Sequence, residues 1–286
     1  AATGTTREPT RMRARGSASS HGRSTNPRSL ALGCGKSSAG SALRTSFGVI
    51  EPGDKALRKQ LKDDADRAAH DLIVAELAEY RPADSVLSEE GIDQPERADA
   101  DRVWIVDPLD GTAEFGSGLA DFAIHIALWE RGEADSSGLR VGVVDLPAQG
   151  ITRTTADSPA ELPSFEGDRP VRLVVSRSRP PALAGSGLER FAAQLADAGV
   201  TEHGVEVVNV GTARAKVGEL LAGRADAYVH DSGFYEWDVA APLAVAQHYG
   251  LATGHLDGSI VTFNHRPPWV SDLVVCLPVL APFLIG

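Results

Sequence analysis

Hydrophobic residues recur at two different periods along the chain, and together they predict alternating helices and strands. Leu72, Ile73, Leu77 and Tyr80 stand three or four residues apart, as in a helix that buries one face. Short β-branched runs bounded by turn residues predict strands instead. The predicted helices are 66–80, 187–198, 212–222, 238–249 and 280–285. The predicted strands are 85–88, 102–107, 122–129, 142–146, 151–155, 171–175, 205–210, 225–230 and 273–277.

A proline-rich stretch divides this pattern into two parts. Residues 156–170 contain three prolines among acidic and small residues, which indicates a boundary. Before it, consecutive short strands favour an antiparallel α+β domain over residues 51–160. After it, strands and helices alternate, as in an α/β domain over residues 161–286.

The first fifty residues differ from the rest in composition. They hold eight arginine or lysine residues against one acidic residue, Glu8, and they are rich in serine and glycine. We find no helical or alternating apolar period there, and such a composition buries little apolar surface. We therefore predict residues 1–50 to be a basic low-complexity leader, either disordered or divergent, and assign it no role.

Charge and cysteine content exclude several classes of protein. The net charge of −11 argues against a general nucleic-acid binder, which needs a basic surface. No apolar run is long enough to span a membrane. Cys34 and Cys276 form neither a disulfide framework nor a CxxC metal motif. We expect a cytoplasmic protein, monomeric or homodimeric, whose partner is a small molecule rather than a nucleic-acid polymer or a membrane.

Two aspartates mark the most informative stretch. Asp107 and Asp110 stand where a hydrophobic run meets Pro108 and Gly111. Because proline cannot continue a central strand, the chain should turn there and expose both carboxylates. Carboxylate oxygens suit Mg²⁺. A solvated turn explains Asp-Pro-x-Asp alone equally well, but the full string Asp107–Phe115 is much rarer and favours a metal site.

Other candidates have ordinary structural explanations when taken alone. Glu89 follows a predicted strand, as solvated turn residues do. Asp238 precedes an alanine-rich helix, where an N-cap acid is common. The pair Gly211–Thr212 stands before a helix and is typical of a cap or of an anion site. Arg177 and Arg179 are explained equally well as surface charges.

The string Asp107–Phe115, with Ser88-Glu89-Glu90 upstream and Glu236-Trp237-Asp238-Val239-Ala240-Ala241 downstream, resembles the Mg²⁺-dependent, lithium-sensitive inositol monophosphatase superfamily. Within it, the chain is most similar to the 3′(2′),5′-bisphosphate nucleotidase branch. The resemblance runs from about Lys55 to the C-terminus, and the N-terminal amphipathic helix of related enzymes is not recognised. It implies a fold that combines α+β and α/β parts in a layered αβαβα sandwich of the inositol monophosphatase and fructose-1,6-bisphosphatase type.

The resemblance also implies a set of metal ligands. Asp107 would bridge two ions, and Glu89 would complete the first metal site. Asp110, the carbonyl oxygen of Leu109, and Asp238 would supply the remaining protein ligands. Two or three Mg²⁺ ions are implied.

A carboxylate and a hydroxyl are implied as the groups that handle the attacking water. Asp66 would orient and deprotonate the water together with Thr112. Asp63 and Asp64 compete for the role of Asp66, and Asp64 is the stronger rival because a two-residue shift would exchange them.

Substrate contacts are implied at turns and helix ends. Lys216 has a counterpart in the nucleotidase branch but generally not in inositol monophosphatases, so a second substrate phosphate would be its partner. Asp231 falls where monophosphatases place an acid that binds a substrate hydroxyl. The implied substrate-binding residues are Gly111, Thr112, Ser176, Arg177, Gly211, Thr212, Lys216, Asp231 and Glu236.

The resemblance therefore implies hydrolysis of the 3′-phosphate of adenosine 3′,5′-bisphosphate, a reaction of sulfur assimilation and nucleotide recycling. Inositol monophosphate and fructose 1,6-bisphosphate are alternative substrates. A non-catalytic regulator that binds nucleotide or metal, and a nucleic-acid-binding leader, are less favoured alternatives.

Overall fold

The computed structural model describes residues 26–34, 39, 43, 55–132, 136–177, 179–210 and 213–285. The described helices are α1 (Pro27–Leu32), α2 (Lys55–Tyr80), α3 (Thr112–Gly116), α4 (Leu188–Asp197), α5 (Ala213–Leu221), α6 (Glu236–His248) and α7 (Ala281–Leu284). Single 3₁₀ turns lie at Pro95–Asp99, Ala182–Ala184 and Pro278–Leu280.

The strands form two five-stranded sheets and a small ribbon. The first sheet has the order β1 (Ser85–Ser88), β2 (Arg102–Asp110), β3 (Ala123–Glu130), β4 (Leu139–Leu146), β5 (Ile151–Thr154). Only its β1–β2 pair is parallel. The second sheet contains β6 (Val171–Ser176), β7 (Val205–Val210), β8 (Ala227–His230), β10 (Ala252–Gly254) and β12 (Leu273–Cys276), in the order β10-β12-β8-β6-β7. The ribbon pairs β9 (Phe234–Tyr235) with β11 (Trp269–Val270).

Alternation along β2 shows how the layers are built. Trp104 and Val106 are buried together with Ile73 of α2, whereas Val103 and Ile105 are buried on the opposite face. Successive strand residues point to opposite sides of a sheet, so each face of β2 supplies a separate core.

Helices α5 and α6 fill the space between the two sheets. Val239 and Leu243 of α6 and Leu220 of α5 share one core with residues of both sheets. On the far side of the second sheet, Phe191 of α4 and Leu284 of α7 complete a third core. The order helix, sheet, helix, sheet, helix confirms the αβαβα sandwich. The predicted boundary at residue 161 falls between the sheets, while α6 contacts strands of both.

The leader prediction is wrong for part of its length. Residues 27–32 form α1, which packs on β4. Leu30, Cys34 and Leu43 are buried in the core beneath α2. The signal that we missed is Asn26 followed by proline: the Asn26 side chain accepts a hydrogen bond from the Arg28 amide (2.9 Å), a helix start typical of Asn-Pro. Residues 1–25 lie outside the described residues.

Two predicted boundaries also need correction. Strand β2 does not stop at Asp107 but continues to Asp110, because its pairing with β3 shifts register between these two residues. Such a bulge accommodates Pro108. Helix α2 begins at Lys55 rather than at residue 66. Its first turns are mostly charged and include an exposed Lys59–Asp63 ion pair (2.5 Å) four residues apart. Leu57, Leu61 and Ala65 continue the four-residue apolar spacing into these turns, which was a signal that we missed.

No helix within the described ranges is both long and apolar enough to cross a membrane.

Leu30 provides a test of whether α1 is part of the folded protein. Leu30→Ala should lower the free energy of unfolding by about 2–4 kcal/mol, because it leaves a cavity beside β4. Urea denaturation measures the loss. Ser29→Ala, at an exposed neighbour on the same helix, should change stability by less than about 0.5 kcal/mol. Equal effects of the two substitutions would contradict the packing of α1 on the sheet.

Candidate active site

The parallel pairing of β1 with β2 brings Glu89 to Asp107. Ser88 pairs with Val106, and the Glu89 amide donates a hydrogen bond to the Val106 carbonyl (3.2 Å). Because parallel strands end at the same edge of a sheet, the residues that follow them become neighbours. Two acids eighteen positions apart therefore reach the same edge.

The bulge in β2 fixes the two aspartates of the motif. Asp107 is 1% exposed, and its Oδ1 accepts a hydrogen bond from the Leu109 amide (3.0 Å). Gly111 adopts a left-handed backbone conformation (φ 87°) directly after Asp110, and Thr112 then begins α3. The turn that the sequence predicts after Pro108 thus occurs at Gly111, three residues later.

Helix α6 brings a fourth carboxylate from the second half of the chain. Asp238 lies in its first turn, and its Oδ2 accepts a hydrogen bond from the Tyr235 amide (3.0 Å). This contact is the capping interaction expected of an acid at a helix start. The same side chain also approaches Asp107, as its electrostatic influence on that group shows. Glu89, Asp107, Asp110 and Asp238 together are called the carboxylate pocket below.

Burial, followed by mutual repulsion, raises the pKa values of the carboxylates in this pocket. Burial raises the pKa of Asp107 well above its usual range, and the charges of Asp110, Glu89, Asp238 and, last, Asp66 raise it further. Burial and the charges of Asp110 and Glu89 raise the pKa of Asp238 to about 7. All four groups therefore lie within electrostatic reach of one another.

Glu89 occupies the mouth of the pocket. Part of the residue faces solvent, while burial of its carboxyl group raises its pKa. A hydrogen bond with Asp107 lowers that pKa, and the charges of Asp110 and Glu90 raise it. The carboxyl group thus points inward, towards the motif aspartates.

The structure separates Asp66 from its two rivals. Asp66 is 6% exposed, and none of the described residues donates a hydrogen bond to its Oδ1. Burial, followed by the charges of Glu90 and Glu89, raises the pKa of Asp66 to about 8. Asp63 is instead exposed and paired with Lys59, and Asp64 is exposed. Of these three aspartates, only Asp66 is buried beside the pocket.

The donor set suits a divalent cation. Among the residues that the structure describes, no three acidic, histidine or cysteine side chains are grouped closely enough to hold an ion between them. Mg²⁺ does not require such a cage, because it usually takes one or two carboxylates and completes its shell with water and substrate phosphate. Hard oxygen donors and the crowded negative charge around Asp107 therefore fit a metal of this kind.

Two cationic side chains lie within electrostatic reach of the pocket, Lys216 of α5 and Arg179 in the turn after β6. Lys216 is 2% exposed, and its Nζ lies 5.0 Å from the centre of the Tyr228 ring. Burial lowers the pKa of Lys216 to about 8, although the charge of Asp110 opposes this shift. Arg179 acts on both Lys216 and Asp238. These cations are the natural partners of substrate phosphate groups.

The substrate-binding role implied for Arg177 stays a prediction. Arg177 and Arg179 are both exposed, and it is the charge of Arg179 that acts on Asp238 and Lys216. The buried Ser176 supports this arrangement, since its Oγ accepts a hydrogen bond from the Arg179 amide (3.3 Å). Ser176 therefore shapes the turn that carries the cation.

Glu236, for which a substrate contact was implied, has internal contacts instead. It is fully buried, and its carboxylate accepts hydrogen bonds from the amides of Asn264 (2.9 Å) and His265 (2.7 Å). Both oxygens are thus engaged within the protein, away from any substrate. Its contribution is to fix the first turn of α6, which carries Asp238.

Asp231 lies outside the carboxylate pocket. Its Oδ2 accepts a hydrogen bond from the Ala182 amide (2.8 Å), and it lines a separate cleft together with Arg190 and Phe283. The substrate contact implied for Asp231 stays a prediction. Gly211 and Thr212 lie outside the described residues.

The sequence profile of the Inositol monophosphatase family matches residues 30–278. This chain belongs to the inositol monophosphatase family. The family is metal-dependent, and the match begins within α1, so the family likeness includes a segment in which we recognised no resemblance.

Several relatives extend the comparison. A Mycobacterium bovis protein named 3′-phosphoadenosine 5′-phosphate phosphatase is 39% identical over 79% of this chain and 81% of its own length. A Mesorhizobium japonicum inositol-1-monophosphatase is 31% identical over 77% of this chain and 82% of its own. The crystal structure of CysQ from Bacteroides thetaiotaomicron, described as a bacterial member of the inositol monophosphatase family, aligns with a TM-score of 0.68. It is 25% identical and covers 87% of this chain and 96% of that one.

Some pocket residues of this family member escaped the sequence analysis. His125 of β3 is fully buried, pairs with Asp107 across the sheet, and places its Nε2 3.6 Å from Asp110 Oδ2. Tyr228 of β8 is fully buried beneath Lys216. His125 is the one polar residue in the predicted strand 122–129, which was a usable signal. Tyr228 gave no signal, because a buried tyrosine is an ordinary core residue.

The contrast between the two arginines gives a direct test. Arg179→Ala should raise the KM for an anionic substrate about tenfold, because it removes a charge-assisted contact beside Asp238. Arg177→Ala, at a similarly exposed arginine two residues away, should change KM less than about twofold. Steady-state kinetics of both variants decide the matter, and a larger effect at Arg177 would refute the placement described above.

Proposed function

We propose that the protein is a metal-dependent phosphatase that removes the 3′-phosphate of adenosine 3′,5′-bisphosphate. The observation that carries the proposal is the carboxylate pocket, in which acids from both halves of the chain meet beside two cations. The mycobacterial relative, named for its action on 3′-phosphoadenosine 5′-phosphate, supports the choice of substrate. A role in sulfur assimilation and nucleotide recycling would follow.

Metal ligands are proposed on the same grounds. Glu89, Asp107, Asp110, Asp238 and the carbonyl oxygen of Leu109 would hold two or three Mg²⁺ ions. Divalent cations bound there would activate the attacking water and neutralise charge on the phosphoryl group. The protein supplies a dry, negatively charged recess that the parallel β1–β2 pair and the start of α6 hold in place.

The remaining groups would act on the water and the phosphates. Asp66 would accept a proton from the water as the water oxygen attacks phosphorus, and the Thr112 hydroxyl would orient that water. The bond between phosphorus and the ribose 3′ oxygen then breaks, and the leaving oxygen takes a proton from solvent. The products are AMP and inorganic phosphate. Lys216 and Arg179 would bind the phosphate that is not cleaved, with Gly111 donating from the turn.

Inositol monophosphate is the second candidate substrate, and the Mesorhizobium relative favours it. The nucleotide would offer a second phosphate to Lys216 and Arg179, whereas inositol monophosphate carries a single phosphate, which the metal site would hold. Fructose 1,6-bisphosphate is a further alternative with two phosphates. A cytoplasmic location, and a monomeric or homodimeric state, stay predictions.

Phosphate release from competing substrates tests the proposal. The kcat/KM for adenosine 3′,5′-bisphosphate should exceed that for myo-inositol 1-phosphate about tenfold or more, since only the nucleotide carries a second phosphate that can contact Lys216 and Arg179. Activity should require Mg²⁺, disappear with EDTA, and fall on addition of Li⁺. A hundredfold preference for the inositol ester (roughly, the scale of two lost charged contacts) would overturn the choice of substrate.

Asp66 can be tested separately from metal binding. Asp66→Asn should lower kcat at least about a hundredfold, because general-base catalysis contributes roughly that much or more. The affinity for AMP, measured by calorimetry in Mg²⁺, should stay within about twofold. Asp64→Asn is the matched control and should leave kcat unchanged, since Asp64 is exposed and its charge is not among those that act on Asp66. Full turnover by Asp66→Asn would remove this residue from the mechanism.

A further inference from the structure

Three aromatic residues are grouped at the start of α6 and are partly exposed. The rings of Tyr235 and Trp237 stack with centroids 4.6 Å apart and planes 8° apart. Trp269 meets Tyr235 edge-on at 5.1 Å. Tyr235 is 47% exposed and Trp269 is 42% exposed. We call these three residues the aromatic cluster. Large aromatic surfaces left in water beside a polar site are typical of ligand contacts.

The backbone holds this cluster in place. Tyr235 and Trp269 are direct partners in the β9–β11 ribbon. Gly233 has a positive φ of 79°, and a Cβ there would lie 2.2 Å from Trp269 Cζ2, so only glycine lets the indole cross the hairpin. Glu236 points inward between Tyr235 and Trp237 and is clamped by the amides of residues 264 and 265. The exposed rings are therefore preorganised rather than free to collapse.

The backbone of the cluster borders the carboxylate pocket. The Tyr235 amide donates to Asp238 Oδ2 (3.0 Å). The carbonyl oxygen of Trp237 lies 3.4 Å from His125 Nδ1, and His125 Nε2 lies 3.6 Å from Asp110 Oδ2. A ligand with its phosphate among the carboxylates would thus have an aromatic surface at one side of the mouth.

We propose that the aromatic cluster binds the purine base of the nucleotide by stacking. The inference rests on the proposed function and assigns the part of the site that distinguishes a nucleotide from a sugar phosphate. Every nucleobase offers a π-face, and stacking on an aromatic side chain favours it without requiring hydrogen bonds. Inositol and fructose phosphates have no π-face, so they cannot make this stacking contact with the cluster.

A cleft of about 360 Å³ near Asp231 and Arg190 is the competing location for the base. Its lining is mixed, with Leu183, Leu256 and one aromatic residue, Phe283. Asp231 already accepts the Ala182 amide there. Binding of the base in this cleft is the result that would contradict the proposal.

Binding of AMP and of ribose 5-phosphate isolates the contribution of the base, because the two ligands differ only in the adenine. Tyr235→Ala and Trp269→Ala should each weaken AMP binding about tenfold, the scale of one lost base–aromatic contact. Their affinity for ribose 5-phosphate should stay within about twofold. Tyr235→Phe keeps the ring and should restore AMP affinity. Tyr249→Ala, at the other end of α6, is the matched control and should leave both affinities unchanged.

Calorimetry in Mg²⁺ gives both affinities, and thermal denaturation verifies that each variant is folded. Equal weakening of the two ligands, or no weakening of AMP, would overturn the proposal. So would a selective loss of AMP binding in Asp231→Asn or Arg190→Ala, which would place the base in the cleft. If the unaltered protein binds AMP through the cluster yet does not hydrolyse adenosine 3′,5′-bisphosphate, the proposed function fails and the base site stands.

Discussion

The crowding of negative charge around Asp107 is the constraint on which the site depends. Asp107 is almost completely buried, yet Glu89, Asp110 and Asp238 all raise its pKa. Carboxylates are rarely buried close together unless a partner offsets their mutual repulsion and their lost hydration. The three hydrophobic cores provide the free energy that holds them together. A hard divalent cation is the partner whose charge and oxygen preference remove the conflict.

The sequence predicted the four carboxylates of this pocket better than it predicted the side chains around them. Asp107, Asp110, Glu89 and Asp238 stand at strand or helix ends, and such ends are visible as breaks in a hydrophobic period. Their spacing along the chain resembles a family pattern, and the family is confirmed. Most strands were also placed correctly, because an alternating or continuous apolar run of four to eight residues leaves few other options.

The sequence could not predict the direction in which a side chain points, even where it placed the residue in the correct helix or turn. Glu236 and Asp238 are two residues apart in one helix turn, yet one points into the protein and the other into the pocket. The Arg177 and Arg179 pair poses the same problem, which the turn at Ser176 resolves. Helix α1 was missed for a different reason: six residues carry too few apolar positions to show a period. Its signal was the Asn-Pro start, and its packing on the first sheet stabilises so short a helix.

The strands that carry the pocket differ in how firmly they are held. Asp107 and Asp110 belong to β2, which has a neighbour on each side, whereas Glu89 follows β1, a four-residue strand at the edge of the sheet. An edge strand with one neighbour exchanges its amide hydrogens and unfolds locally at a smaller free-energy cost than a central one. One wall of the pocket thus belongs to a strand that is paired on both sides, and the other follows a strand that is paired on one side only. Entry of a hydrated ion, which must exchange water for carboxylate, would meet its least resistance on the side of Glu89.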